Sequence, residues 1–395
     1  MTSPPPNTTM IHTGNTFKDR DYYFEDGNCV IGVQNYLFNL HRTILRKHSL
    51  FFRRMFLNPR NTEAQEIAGE KDDCPIICDD PVEAFRAWCW ALYAGFQELE
   101  GPKRRESLNE ERLGYIGWLA HKYECDTIEK WAEKTLDAEL QAIIHDSKAR
   151  AQLSSLSFLG GTQSFCNLPS IKTLGQLLCQ SHECSWPYVR KNIELLLLGT
   201  IQGTWSILGT SESAIELRRV LDIAGEVKDE ALKARAYYAF IQSVNWCLSP
   251  RERRNRTGGT AFTLKRRDRN CDSLSALTDT QKICLYRGYL SFSSLRSELR
   301  NIPEVNVLCG CLGEVEKEWK SHARRLSGDH YFDDPKSFLE EMKRLLDLDS
   351  PEKRLNRKHG GECKIDQLSR DIDKFLIDME VNLVHFFTES GEVTC

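Results

Sequence analysis

The spacing of apolar residues changes at His41. Upstream, "DYYFEDGNCVIGVQNYLFNL" (residues 21–40) reads as short strands in which an aromatic run, "CVIGV" and "YLFNL" are separated by Asp26-Gly27 and by Asn35. Asp-Gly favours the backbone of a hairpin connection, so a small mixed sheet with two chain reversals is predicted. Downstream, Ile44, Leu45, His48 and Phe52, then Met55 and Phe56, recur at three- and four-residue intervals, which is a helical period. Ser49 is placed to cap a helix beginning at Leu50. The stretch is therefore predicted as helix, brief break, helix, with Arg42, Arg46, Lys47, Arg53 and Arg54 on the wetter faces.

The pattern continues with "CPIIC" (74–78), a short strand, and "DDPVEAFRAWCWALYAGF" (79–96), a helix. Asp79 or Asp80 is expected to cap that helix, Pro81 suits its first turn, and Phe85, Trp88, Cys89 and Leu92 form its buried face as far as Gly95. Amphipathic helices are predicted over Asn109–Tyr123 and Cys125–Ile144, with a corner at Glu124 to Asp126. This gives a disordered tail at 1–14 and a first α+β domain at 15–145. Residues 146–214 form a weakly patterned connection or a divergent helical segment. Residues 215–395 are mainly helical, with two helices about Gly225 and further helices near 277–290, 305–326, 335–346 and 365–387.

At 395 residues the chain has room for two or three domains. The 53 Lys/Arg against 57 Asp/Glu leave a net charge of -4, which disfavours a chain-wide footprint for nucleic acid or an anionic membrane. One local exception is the basic run at 250–273, "PRERRNRTGGTAFTLKRRDRNCDS", read as an exposed loop, with nuclear import or nucleic-acid contact as the alternatives. Fifteen scattered cysteines and no secretory pattern at the N-terminus point to a reducing, intracellular setting, cytoplasm or nucleus. "NIELLLLGTIQGTWSILG" (192–209) carries Glu194, Gln202 and three glycines and is too short an apolar run for a bilayer, so a buried helix or helix-turn unit is predicted there and no membrane contact is expected.

Candidate chemistry is sparse. Cys309 and Cys311, with His322, His330 and Cys363 downstream, lack the spacing of a structural zinc site, and Cys179, His182 and Cys184 lack a second pair. No Gly-rich phosphate loop, HExxH helix or GxSxG elbow is present, so no catalytic residue, metal or cofactor is assigned. His41 and His48 are seven apart and formally permit a ligand pair. Within an apolar stripe, though, a histidine satisfied by a neighbouring element is the better reading.

Taken together, "YYFEDGNCVIGVQNYLFNLHRTILRKHSLFFRRMF" and "CPIICDDPVEAFRAWCWALYAG" resemble a BTB/POZ domain followed by a mainly helical region, the arrangement of a group of fungal BTB proteins. By that resemblance His41 and Leu45 belong to the first core helix, and Ser49 and Phe52 match the family's serine-to-phenylalanine spacing. Phe85 and Tyr93 belong to the later helix. With Phe56, these are scaffold residues that orient, cap and pack. The resemblance implies a non-enzymatic protein-interaction scaffold that forms homodimers or heterotypic BTB contacts. Its alternatives are a substrate adaptor binding cullin-3 and a transcription-associated or nucleic-acid-associated regulator.

Overall fold

Four strands form one mixed sheet near the N-terminus: β1 (Phe17–Tyr23), β2 (Cys29–Val33), β3 (Tyr36–Leu40) and β4 (Ile76–Cys78). Their order across the sheet is β1-β3-β2-β4, with β2 and β3 antiparallel and both β1–β3 and β2–β4 parallel. The computed structural model describes residues 16–57, 69–100, 108–156, 168–202, 213–248, 274–299, 317, 319–320, 335–347 and 364–387. Among the described residues the fold is mostly helical, with this small sheet at its N-terminal end.

Sheet order corrects one expectation. Asp26-Gly27 does not join paired neighbours, because β3 lies between β1 and β2. A tight turn does form, with Gly27 N–H donating to Phe24 O at 3.1 Å, but the chain then crosses the end of β3. There Asn39 Nδ2 donates to the Phe24 carbonyl at 2.6 Å, and a Cβ on Gly27 would lie 2.4 Å from Asn39 O. The reason is burial: β2 is buried at all five positions and belongs inside the sheet, whereas β1 alternates mostly exposed residues and can serve as an edge. The antiparallel reversal is at Gln34-Asn35, where Gln34 takes a left-handed backbone (φ 52°).

Helices α1 (Arg42–His48), α2 (Leu50–Leu57) and α3 (Val82–Tyr93) follow the strands, with the short α4 (Phe96–Glu100) after them. Phe38 of β3 meets Phe85 of α3 at a centroid distance of 4.8 Å, which ties sheet to helix. Helix α5 (Glu110–Lys122) is capped by Asn109, whose side chain accepts from Arg112 N at 2.8 Å, and packs on α3. After the corner, where Glu124 has φ 54°, comes α6 (Asp126–Leu156), which runs on through the boundary expected near 145.

The first compact unit extends to Leu196 and includes α7 (Ile171–Glu183) and most of α8 (Pro187–Gln202). Two glycines on α5 permit this. A Cβ on Gly114 would lie 2.3 Å from Leu177 Cδ2, and one on Gly117 would lie 2.3 Å from Trp186 Cη2. Side chains there would force the following helices away.

The second unit, from Leu197 onward, contains α9 (Ser213–Glu226), α10 (Glu230–Leu248), a 3-10 turn (Leu274–Ala276), α11 (Asp279–Leu299), α12 (Pro335–Asp347), α13 (Lys364–Val381) and α14 (Leu383–Phe387). Leu217, Val220, Leu221 and Ala224 of α9 and Leu232, Ala236 and Ala239 of α10 are buried where these two helices pack. The break between them falls just after Gly225, and Asp229 caps α10 by accepting from Leu232 N at 2.9 Å. The basic run at 250–273 and the Cys309, Cys311, His322, His330 and Cys363 set lie outside the described residues.

Candidate functional site

Helices α1 and α2 meet at Ser49, and what that residue does follows from its position. Its backbone N–H donates to Leu45 O at 2.9 Å, closing α1. Its Oγ accepts from Phe52 N at 3.0 Å, which caps α2, and donates to Tyr123 O at 2.6 Å, which is the end of α5. One fully buried hydroxyl thus joins three helix termini. Leu50 N–H adds a bond to Glu124 O at 3.2 Å beside it.

Around this joint is an aromatic cluster centred on Tyr123. Phe52 lies 5.2 Å from the Tyr123 ring and 6.0 Å from Trp88, and Trp88 lies 4.9 Å from Tyr123. Phe85 closes the group, 5.3 Å from Trp88. Phe52, Phe85 and Trp88 are fully buried, as is Leu45 of α1, and three segments distant in sequence (α2, α3 and the end of α5) share one apolar centre. Phe56 sits at its margin, half-buried, 5.9 Å from Phe52 and beneath the Arg42 guanidinium at 5.2 Å.

His41 and Tyr93 form a second cluster at the other end of α1. Tyr93 Oη accepts from His41 N at 3.1 Å and lies 3.0 Å from His41 Nδ1. On the other side of the ring, His41 Nε2 lies 3.3 Å from Asp26 Oδ1. Phe24 packs on both rings, 5.1 Å from His41 and 4.8 Å from Tyr93. The structure therefore brings Ser49, Phe52 and Phe85 together and pairs His41 with Tyr93 elsewhere. His48 is not part of either group; burial lowers its pKa, and Lys47 lowers it further.

Two carboxylates matter more than local pattern indicated. Asp80 does not cap α3: its N-cap is Pro81, with no side-chain bond. Instead Asp80, 1% exposed, accepts from Lys122 Nζ at 2.6 Å and from the Tyr123 hydroxyl. Asp79 also accepts from Lys122, at 2.8 Å. Burial would lower the Lys122 pKa, but the two aspartates outweigh it and raise it. Asp19, equally buried on β1, accepts from Arg86 Nε at 2.8 Å and from the backbone of Asp21 and Tyr22. Asp80 follows an apolar strand and Asp19 stands between Lys18 and Arg20, and the side-chain partners of both lie more than 40 residues away.

Reactive groups here are muted. Burial pushes the thiols of Cys29 up to about 11 and of Cys78 and Cys125 up to about 12, and the phenol of Tyr93 up to about 12. Thiols so shifted carry little thiolate at neutral pH. Among the described residues no group of three or more His, Cys, Asp or Glu is arranged to hold a metal ion, and no helix is long and apolar enough to cross a membrane. Compared with protein-family models, curated proteins and solved structures, the chain gives no match.

Proposed function

We propose that the first unit is a BTB/POZ-like interaction module and that the protein is a non-enzymatic scaffold, self-associating through it, in the cytoplasm or nucleus. The observation that carries this reading is the joint itself: His41, Ser49, Phe52 and Phe85 are all engaged in holding sheet and helices in one arrangement. A rigid scaffold suits recognition by surface, and this unit presents apolar side chains outward, with Phe17 on the edge strand 55% exposed and Leu57 on α2 60% exposed. A specific dimer of ordinary size buries about 1,200–2,000 Å² in total.

Light scattering on the full chain after size exclusion tests the proposal. The expected mass is that of a dimer, falling to a monomer in Phe17→Asp or Leu57→Asp. A monomer at every loading concentration, or dimers indifferent to both changes, removes the self-association.

A further inference from the structure

In the second unit, α9, α10, α11 and α14 enclose a groove of about 650 Å³, within the size range of ligand pockets. Leu221, Ala234, Tyr237 and Phe387 give it an apolar floor, where Tyr237 stacks on Phe387 at 5.2 Å with the planes 18° apart. Asp222, Glu226 and Glu230 line it as well, all exposed to solvent. Against them Lys233 is the cation among the described lining residues, and its Nζ is bound to Glu230 at 2.6 Å. Asp222 lies 3.8 Å from Arg218. The charge balance of the described lining is therefore acidic, although its floor is apolar.

We infer that this groove docks a basic peptide segment of a protein partner, with an aliphatic or aromatic side chain on the Tyr237–Phe387 floor and Lys or Arg beside Asp222 and Glu226. Charge complementarity selects the occupant: an acidic segment would set like charge beside the rim carboxylates, and a purely apolar one would gain no attraction from them. The exposed rim suits a peptide lying across the groove better than a small molecule enclosed by it. This docking is independent of self-association, which belongs to the first unit, so either can fail alone.

Gly225 supplies a clean test. It lines the groove within α9, and a Cβ there would meet nothing nearer than Lys233 Cε at 4.0 Å. Gly225→Leu fills the space while improving helix propensity. The probe is a fluorescein-labelled peptide of repeating Lys-Leu-Arg-Phe, read by anisotropy on the full chain, with Glu replacing each cation in the control peptide. The basic probe binds, more weakly as salt rises, and the acidic control does not. Asp222→Asn with Glu226→Gln weakens binding about three- to tenfold and flattens the salt dependence. Gly225→Leu weakens it by at least about tenfold with the circular dichroism melt unchanged or raised. Equal binding of the probe by the parent chain and by a folded Gly225→Leu chain overturns the inference, as does equal binding of the acidic control. Tighter binding after replacing the Lys/Arg of 250–273 with Gln overturns the assignment to a partner, since this chain's own basic run would then be the occupant.

Discussion

In the first unit, Ser49, Asp19 and Asp80 are buried and each bonds to a residue more than 40 positions away, around rings contributed by α2, α3 and the end of α5. In the second, the cap of α11 is local, Thr278 accepting from Gln281 N at 3.2 Å, three residues on. There the α9 and α10 faces are Leu, Val and Ala at helical spacing. The contrast teaches where specificity comes from. Helical periodicity alone lets two helices pack, but a polar group buried between remote segments admits only the arrangement that satisfies it.

Alkaline pH separates the two units most strongly. In the first, burial raises Cys29, Cys78, Cys125, Tyr22 and Tyr93 to about 11 or 12 from 9 and 10, whereas among the described residues of the second it is Tyr237 that burial raises. A raised folded pKa means the unfolded chain gives up its proton first, so this stability is complete below about pH 9 and is lost as pH rises through 11 to 12. Each group costs on the order of 1 kcal/mol per pH unit in that window. Calorimetry from pH 8 to 11.5 should show the first unit's transition falling more steeply than the second's. Parallel decline would erase the distinction.

Phe52→Ala comes next. It removes a fully buried ring from the Tyr123 cluster and should destabilise the first unit by about 3–5 kcal/mol, read as a lowered midpoint in urea with the second unit's transition in place. Asp80→Ala removes the carboxylate that accepts from the Tyr123 hydroxyl, leaves Lys122 with Asp79, and should cost about 1–3 kcal/mol in the same assay. The sharpest form of the comparison uses two caps. Ser49→Ala and Thr278→Ala each lose one backbone cap bond, worth about 0.5–2 kcal/mol, but Ser49 also donates to Tyr123 O. Its loss should therefore cost about 0.5–1.5 kcal/mol more. Equal costs would mean that the remote bond contributes nothing.

Local signals were legible in the sequence. The helical face of Phe85, Trp88, Cys89 and Leu92, the Ser49 cap and the pair of helices about Gly225 all follow from spacing within a few turns. Strand order was not, because Asp26-Gly27 specifies a turn but not which strand the chain will join, and the parallel β1–β3 pair is non-local. Asp80 was misread for the same reason: a carboxylate before a helix looks like a cap until Lys122 and Tyr123 arrive from α5 and its end. The Ser- and Gly-rich stretch at 146–175 obscured the start of α7, whereas the apolar run from Asn192 was legible as helix and falls in α8. These helices join the first unit through Gly114 and Gly117, whose role depends on neighbours that no window around them contains.

Sedimentation equilibrium on the full chain, alongside Phe52→Ala under conditions where only the first unit of that variant is unfolded, tests the central claim most directly. The account predicts a dimer for the parent chain and a monomer for the variant, since the association surface belongs to the unit that Phe52 holds together. A monomeric parent, or a variant that dimerises as well as the parent, contradicts it.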